Sequence, residues 1–420
     1  MSSSQPRIAI VGGGPAGLTT GLLLHKRGVP FTIFELRQKP TDEELAKPSG
    51  MLDLHEESGI AALKECGLFD EILQITGDCS EAQKVSDKNG NILHTDDGDI
   101  SQRPEISRHA LSKLLSSHIP ADQIRWGYKL LAATKSMASG SGLTEIQLDF
   151  GPRGKQTFDL VIGADGAWSK VRNLLSDTKP YYAGTQNITL TIREVTKKYP
   201  HLSELVGLGS FAALGDRHGV MSQRGPQDSA RIYIFLTIKD EHYATTLAGQ
   251  TALAAKERVL GDVELLSTWG TAIKELVTIA CDEEVADNPG NAVDIHPMYV
   301  LPVGNAWEHK IGATVIGDAA HLMGPWAGEG VNLAMWDSQL LAHAIIKAYE
   351  TETARKDAAS FQSVLDPLIE AFEVDMVARA QEKAEESSSN GQMLFGEDGA
   401  TAFAEFFRQA YAGAISGEST

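Results

Sequence analysis

Cysteine is scarce in this sequence, with only Cys66, Cys79 and Cys281 among 420 residues. The three cysteines are far apart, form no CxxC pair and leave an odd count, which excludes a disulfide framework and a cysteine-based zinc cluster. A chain of this kind suits a reducing compartment. We therefore expect a cytoplasmic protein with no metal site.

The sequence also lacks an excess of positive charge and a long apolar run. Its 37 Lys and Arg residues stand against 56 Asp and Glu residues, for a net charge of −19. Such an acidic chain repels phosphate backbones and anionic lipids, so we expect no binding to nucleic acid or to a membrane surface. No stretch reaches the roughly 18 apolar residues of a spanning helix, and the first residues lack the basic region of a secretory signal. We expect a monomer with small-molecule partners.

Glycine is frequent instead, and one cluster follows the first apolar segment. Gly12, Gly14 and Gly17 are spaced as GxGxxG between the strand-like residues 7–11 and a helix-like segment. The first glycine allows a tight turn, the second lets the backbone contact a pyrophosphate, and the third lets helix and strand pack closely. Glu35 ends the next strand and suits a ribose hydroxyl. The motif predicts dinucleotide binding without separating FAD from NAD; a glycine turn that only packs the unit is the alternative.

Two later segments each place a carboxylate at the end of a strand. Asp165 follows the apolar residues 158–163, and Asp318 follows residues 311–317. A helix predicted to begin near Gly330 would offer free N–H groups and a positive dipole end. The ribityl hydroxyls of a flavin need a carboxylate, and its ring edge, which gains negative charge on reduction, needs amide donors. A nicotinamide ring has no use for the second group, so the pattern favours FAD.

The character of the sequence changes in its middle. Alternating apolar and polar segments between residues 178 and 300 indicate an antiparallel sheet with one more exposed face. The predicted fold class is α/β, with a Rossmann-like FAD-binding domain, an inserted and mostly antiparallel β-sheet substrate domain, and a C-terminal helix. Residues 385–392 are expected to form a polar break in the tail. The predicted boundaries are 1–75, 101–178 and 296–355 for the FAD-binding domain, 76–100 and 179–295 for the substrate domain, and 356–420 for the C-terminal bridging helix and tail.

Several segments together resemble one enzyme family, the group A (PHBH-like) FAD-dependent monooxygenases, and among them the tetracycline-inactivating flavin monooxygenases. The segments are 12–17, 162–172 and 316–332, with further similarity in 51–59, 87–93 and 104–108. The resemblance covers the predicted FAD-binding domain and is faint in the middle domain and the tail. It implies a bound FAD, with NADPH or NADH as a transient co-substrate.

The resemblance also implies which residues hold these cofactors. The glycine turn would bind the pyrophosphate, Glu35 the adenosine ribose, and Asp318 the ribityl or pyrophosphate region. Arg108 resembles an arginine that lies along the FAD, and Asp53 an aspartate near the flavin ring. A family arginine that helps to hold NADPH has no clear match here, because the loop of residues 36–48 differs in length, and Lys47 is the nearest cation in the sequence. The full predicted cofactor-binding set is Gly12, Gly14, Pro15, Ala16, Gly17, Glu35, Arg37, Lys47, Asp53, Arg108, Asp165, Asp318, Pro325, Gly328, Gly330, Val331 and Asn332.

The substrate residues are indicated less directly, because the middle domain departs from the family pattern. Tyr233 aligns with a histidine that contacts the drug in the tetracycline enzymes, and Thr189 aligns with a glutamine. The specific tetracycline contacts are therefore mostly absent. Phe211 and Trp326 are candidates for an aromatic substrate wall and Met393 for a lid, although core packing or a plain helix contact explains them equally well. The predicted substrate set is Thr189, Phe211, Tyr233, Trp326 and Met393.

The expected activity is the hydroxylation of a planar aromatic or polycyclic small molecule by FAD, NAD(P)H and O2. The chemistry would run through a flavin C4a-hydroperoxide, so no side chain is assigned as a catalytic acid or base. A flavin-dependent halogenase is disfavoured because the sequence contains no Trp-x-Trp. A non-oxygenating flavin reductase or dehydrogenase and a catalytically silent FAD-binding module keep all three motifs and stay open as alternatives.

Overall fold

The computed structural model describes residues 5–76, 80–98, 105–137 and 143–416, with side chains described as far as residue 409. Its strands are β1 (Ile8–Val11), β2 (Thr32–Glu35), β3 (Met51–Asp53), β4 (Gln83–Asp87), β5 (Ile92–Asp96), β6 (Glu105–Ser107), β7 (Ile124–Trp126), β8 (Ala132–Met137), β9 (Thr144–Asp149), β10 (Lys155–Phe158), β11 (Leu160–Gly163), β12 (Tyr181–Ile192), β13 (Ser210–Gly215), β14 (His218–Gly225), β15 (Ser229–Thr237), β16 (Asp294–Val300) and β17 (Ala313–Val315).

The helices connect and cover these strands, and a π-helical turn at Glu56–Ile60 precedes the third of them. They are α1 (Pro15–Lys26), α2 (Asp42–Ala46), α3 (Ala61–Glu65), α4 (Phe69–Ile75), α5 (Arg108–Ser117), α6 (Val195–Lys198), α7 (Pro200–Val206), α8 (Ala252–Gly261), α9 (Thr271–Asp287), α10 (Asp318–His321), α11 (Gly330–Tyr349), α12 (Glu352–Lys356), α13 (Ala358–Leu394) and α14 (Gly399–Ser416).

Two large sheets organise the molecule. One is parallel, with the strand order β17-β11-β1-β2-β7, and the other has the order β16-β12-β15-β14-β13-β4-β5. The seven-stranded sheet is antiparallel except where β13 pairs with β4. A three-stranded sheet, β10-β9-β8, and a ribbon of β3 and β6 lie beside them. The α/β class and the antiparallel second sheet that the sequence predicts are confirmed, while the predicted domain boundaries stay predictions.

The parallel sheet explains why its strands read as unbroken apolar runs. All four residues of β1 and of β11 are buried, as expected for parallel strands covered on both faces. Pro15 begins α1, a position that suits proline because its missing N–H has no helical partner there. A side chain at Gly21 would reach within 2.7 Å of the Ile33 side chain, so glycine lets α1 lie close to β2.

The two faces of the seven-stranded sheet meet different surroundings, because successive side chains of a strand point in opposite directions. On one face, Phe211 and Ile232 pack in a core around Trp269 that includes residues of α8 and α9. On the other face, Leu214 packs with Leu394 from the end of α13. Phe211 is only 2% exposed and lies on the first face. The prediction that Phe211 forms part of the substrate wall is therefore wrong.

Helix α13 runs without interruption from Ala358 to Leu394. Its first turn is capped by Asp357, whose carboxylate accepts a hydrogen bond from the Ser360 amide at 2.8 Å. The polar break expected at residues 385–392 is wrong, because these polar side chains bind a neighbouring loop instead. Ser387 donates to the carbonyl of Gly324 at 2.7 Å, and Asn390 donates to the carbonyl of Trp326 at 3.1 Å.

The described residues contain neither a membrane-spanning helix nor a metal-binding cluster. None of their helices combines the length and the apolar composition of a membrane span. None of their His, Cys, Asp and Glu side chains form a group of three or more that could hold a metal ion.

Phe211→Ala should lower the free energy of unfolding by about 3–5 kcal/mol, because it empties a buried position in the core around Trp269. Urea unfolding followed by circular dichroism measures the change. Val374→Ala is the control, since Val374 is 70% exposed on α13. A Phe211→Ala midpoint equal to that of the control would contradict the placement of Phe211 in the core.

Candidate active site

Three turns meet where parallel strands end. Val11 on β1 is aligned with Gly163 on β11, and Gly163 is aligned with Val315 on β17. The turns that follow these strands therefore lie side by side at the carboxyl edge of the sheet, the usual ligand edge of such folds. Their contact is tight, since a Cβ at Gly12 would lie 2.0 Å from the carbonyl oxygen of Ala164.

The glycines of the first turn have distinct surroundings. Gly12 has a φ of +112°, which favours glycine, and a Cβ at Gly17 would lie 2.0 Å from the carbonyl oxygen of Gly12. A Cβ at Gly14, in contrast, would meet nothing within 4 Å. Gly14 caps α1 without a side-chain hydrogen bond, and Pro15 and Ala16 follow it. A ligand oxygen can thus approach the amides of this helix N-terminus.

Glu35 is tied to the glycine turn. Its carboxylate accepts a hydrogen bond from the Gly13 amide at 2.6 Å and another from the Arg37 amide at 2.9 Å. Arg37 acts here through its backbone, and its side chain is exposed. Lys47 is also exposed, just after α2, and its carbonyl oxygen lies 3.0 Å from the His109 ring. The structure thus brings Glu35, but not the Lys47 side chain, to the turn.

Asp165 is oriented toward its own turn. One carboxylate oxygen accepts from the Ser169 hydroxyl at 2.5 Å, and the other accepts from the Lys170 amide at 2.7 Å. Burial raises the pKa of this carboxyl, and these hydrogen bonds lower it. The predicted role of Asp165 in cofactor binding stays a prediction. Its contacts in the structure shape the turn that lies against Gly12.

Asp318 follows β17 at the carboxyl edge of the sheet and is exposed to solvent, although protein atoms crowd around its carboxyl. This crowding raises the pKa of its carboxyl, and the nearby His321 and Arg108 lower it. The turn that carries Asp318 is held from behind by Asp337, which accepts from the Gly317 amide at 3.1 Å and contacts the His321 ring at 2.6 Å. Burial lowers the pKa of His321, but the charge of Asp337 and this hydrogen bond raise it overall.

A second open turn lies at the start of α11. Cβ atoms at Gly328 and at Gly330 would meet nothing within 4 Å. Asn332 is fully buried and ties this turn to β3, since it donates to the carbonyl of Asp53 at 2.9 Å and accepts from the His55 amide at 2.9 Å. The predicted residues Pro325 and Val331 belong to the same segment, in a short 3-10 turn and in the first turn of α11. We call residues 328–332 the α11 turn.

Asp53 points toward the seven-stranded sheet. It is paired with Glu105 across the ribbon of β3 and β6, so the two side chains share one face. Glu105 accepts a hydrogen bond from Gln223 of β14 at 3.2 Å. The space between the turns of the parallel sheet and this face of the seven-stranded sheet is the candidate active-site cleft.

Aromatic side chains of the seven-stranded sheet line the cleft. Thr189 and Tyr233 are cross-strand partners on the face opposite to the Phe211 core. Tyr233 approaches the other wall closely, because a Cβ at Gly50 would lie 2.8 Å from its hydroxyl oxygen and 3.6 Å from Nε of Arg108. Burial raises the pKa of the Tyr233 phenol, which keeps it neutral.

An aromatic cluster extends this face toward the tail. The ring centroids of Phe235 and Trp326 are 4.8 Å apart, those of Trp326 and Phe395 are 4.8 Å apart, and Phe395 is 6.0 Å from Phe235. Met393 packs at the margin of the same cluster. Thr189, Tyr233, Trp326 and Met393 thus share the face from which Phe211 is absent.

Sequence reasoning missed several residues of this site. Phe235 and Phe395 carry no motif, but Phe235 lies two residues after Tyr233 on one strand and so shares its face. His55, Glu329 and Asp337 make buried polar contacts around the two turns. His55 and Glu329 lie within the segments that carry the family resemblance. The sequence therefore points to each residue, but it does not show that the two side chains contact each other.

The arrangement suits a dinucleotide with a flavin ring. Gly14, Gly328 and Gly330 leave open space beside two helix N-termini, where phosphate and a ring edge need amide donors. The carboxylates of Glu35, at the glycine turn, and of Asp318, after β17, are acceptors of the kind that ribose and ribityl hydroxyls need. The residues present therefore fit FAD.

Comparison with known proteins agrees with this fit. The model of a family described as FAD binding domain matches residues 6–269 and 309–364. Monooxygenase penA of Penicillium thymicola is 37% identical in an alignment of 430 positions, gaps included, that covers 95% of this chain and 97% of that protein.

Two solved structures share the fold. Klebsiella pneumoniae HpxO, complexed with FAD and uric acid, has a TM-score of 0.72 at 15% identity, over 98% of this chain and 94% of that one. Tetracycline destructase Tet(55) has a TM-score of 0.60 at 17% identity, over 95% of this chain and 97% of that one. At these identities the likeness concerns the fold.

Gly14→Val and Gly17→Ala should fail in different ways. Gly14→Val adds its side chain to open space, so the cofactor-free protein should keep its thermal midpoint while FAD affinity falls by about tenfold or more. Gly17→Ala forces a methyl group against the Gly12 carbonyl, so it should lower the midpoint itself. Flavin fluorescence quenching and thermal unfolding separate the two effects. Full FAD affinity in Gly14→Val would contradict an approach of the phosphate to this turn.

Proposed function

The chain belongs to the FAD binding domain family and is an FAD-dependent monooxygenase of the aromatic-hydroxylase type, and we propose that it uses NADPH or NADH and O2 to hydroxylate a planar aromatic or polycyclic small molecule. The family resemblance of the motifs is thereby confirmed. The observation that carries the proposal is the aromatic cluster in which Tyr233 and Phe235 of β15 meet Trp326 from the loop before the α11 turn.

The residues that would hold FAD follow from the two open turns. Gly14 and the first amides of α1 would bind the pyrophosphate, and Glu35 the adenosine ribose. Asp318 would accept from the ribityl chain, and the amides at the start of α11 would face the ring edge. When bound, FAD supplies the activation of O2 with two electrons from NAD(P)H.

The overall reaction couples a two-electron reduction to the transfer of one oxygen atom, and we assign no side chain as its acid or base. A substrate C–H group, O2, NAD(P)H and one proton give a C–OH group, water and NAD(P)+. The contribution of this chain is to orient the substrate and to exclude water, which would divert reduced oxygen to hydrogen peroxide. Trp326 and Phe395 serve this purpose by closing the cleft with apolar rings.

The chemistry of the cleft face favours a flat substrate with a polar edge. The ring edges and faces of Phe235 and Trp326 suit stacking on an aromatic molecule. Thr189 and the neutral phenol of Tyr233 offer hydrogen bonds beside them. HpxO, which shares this fold, is known in complex with uric acid, itself a small planar ring system.

The test begins with the purified protein. Its visible spectrum should show bound FAD, and NADPH or NADH oxidation should accelerate with one member of a panel of planar phenols and polycyclic compounds, including a tetracycline. Mass spectrometry should find one added oxygen atom on that compound. Oxidation without oxygen transfer would favour a flavin reductase or dehydrogenase, and bound FAD without any oxidation would favour a silent binding module.

Trp326→Ala should weaken substrate binding and loosen coupling. Loss of the indole removes apolar contact area worth about 1.4 kcal/mol or more, so KM should rise by about tenfold. Water should enter the cleft, so the share of NAD(P)H electrons that ends in hydrogen peroxide should increase. Phe211→Leu is the matched control, because Phe211 lies on the opposite face of the sheet. An unchanged KM and coupling ratio in Trp326→Ala would contradict the assigned substrate wall.

A further inference from the structure

His55 lies between two carboxylates at the edge of the cleft. Its Nε2 is 3.3 Å from a carboxylate oxygen of Asp53, and its Nδ1 is 3.5 Å from a carboxylate oxygen of Glu329. The side chains of His55 and Glu329 are 10% and 9% exposed, so the middle of this arrangement is buried. An imidazole with a carboxylate at each nitrogen suits the doubly protonated, cationic form.

The arrangement continues to the C-terminal helix. The other carboxylate oxygen of Glu329 lies 2.7 Å from Nζ of Lys383 on α13. Asp53, His55, Glu329 and Lys383 therefore form a row of alternating charges, which we call the charge row. It joins three segments that are distant in sequence: β3, the α11 turn and α13.

The charge row acts on the same turn that would face the flavin. Glu329 immediately precedes α11, and Asn332 in the first helical turn is bonded to the backbone of both Asp53 and His55. Two independent sets of contacts, one of neutral hydrogen bonds and one of charges, thus connect β3 to the α11 turn. Gly328 and Gly330, which stand open, flank Glu329 in this turn.

The charge on His55 decides whether this second set of contacts is complete. Among the described residues, His55 has ionic contacts with Asp53 and Glu329. Glu105 lies across the ribbon from Asp53, and Lys383 also faces Glu386 on its own helix. Neutralising His55 would leave the buried carboxylate of Glu329 with a single cationic partner. An incompletely paired buried charge is costly, and the turn that carries it would shift toward solvent.

The titration of His55 has a defined direction. The hydrogen bonds with Asp53 and then Glu329 raise the pKa of His55 to about 9, against a smaller opposing effect of burial. Because the pKa is higher in the folded protein than in a free histidine, the stabilising effect is complete below the free value of about 6.5 and declines above it. It is lost as the pH rises through about 9.

We propose that His55 is a positioning residue whose positive charge locks the α11 turn between β3 and helix α13, so that FAD affinity depends on that charge. The proposal rests on the FAD binding of the family and on no particular substrate. It assigns His55 no direct contact with the reacting atoms.

The test measures FAD affinity in full-length protein stripped of its cofactor, by quenching of flavin fluorescence between about pH 7 and about pH 10. The wild-type dissociation constant should rise by about tenfold across the titration of His55. His55→Gln should bind about tenfold more weakly at neutral pH and should lack this step. Ionisation of the free flavin in alkaline solution affects both proteins equally, so the difference between them isolates His55.

His343→Gln is the matched control, because His343 lies on α11 in a surface pair with Glu65 at 2.7 Å, away from the turn. It should keep both the wild-type affinity and the alkaline step. Glu329→Gln should lower the pKa of His55 and move the step to lower pH. The proposal would be overturned by a His55→Gln variant that folds like the wild type, binds FAD with wild-type affinity and keeps the alkaline step.

If His55→Gln is too unstable to purify, the Glu329→Gln variant tests the proposal by itself. Only the proposed lock predicts that its alkaline change in FAD affinity moves to lower pH. Failure of the lock would leave the proposed function untouched, since FAD binding is measured here without NAD(P)H, O2 or substrate. Conversely, an inactive protein that shows the His55-dependent step would support the lock and count against the proposed reaction.

Discussion

The register of three parallel strands is the constraint on which the cofactor site depends. Ladder hydrogen bonds align Val11, Gly163 and Val315, so the turns after β1, β11 and β17 emerge at one edge of the sheet. The glycine turn and the Ala164 turn then touch so closely that no side chain fits at Gly12. A slip of one residue in any of these strands would reverse the facing of its side chains and separate the turns.

Much of this edge could be predicted from short motifs, because its geometry is local. Gly12 and Gly17 are needed by a tight turn whose shape depends on a few residues, whereas Gly14 leaves space beside the helix N-terminus. The spacing to Glu35 follows from one helix and one strand. The same holds for the turn before Asp318. The sequence also places an antiparallel sheet in the middle of the chain, since alternation of apolar and polar residues is a property of single strands.

Contacts between distant segments could not be predicted in this way. The amide of His55 bonds to Asn332, 277 residues later in the chain, and no local pattern encodes that pairing. Phe211 and Phe235 are equally apolar, yet one faces the helix core and the other the cleft. Which face of the sheet a side chain points to depends on the register of its strand. That register is set by the pairing of β13, β14 and β15. The polar residues 385–392 suggest a helix break when the sequence is read alone. They continue the helix because their hydrogen-bond partners lie on the loop of Gly324 and Trp326.

Helix α13 unites the two sides of the site more directly than either sheet does. Lys383 binds Glu329 beside the α11 turn, and Arg379 lies 3.3 Å from Asp337 behind the turn of Asp318. One to two turns further along, Ser387 and Asn390 hold the loop that carries Trp326. A single continuous helix therefore contacts the α11 turn, the turn of Asp318 and the loop of Trp326. Any shift of that helix must change the shape of the cleft and the position of the α11 turn together, because the same helix contacts both.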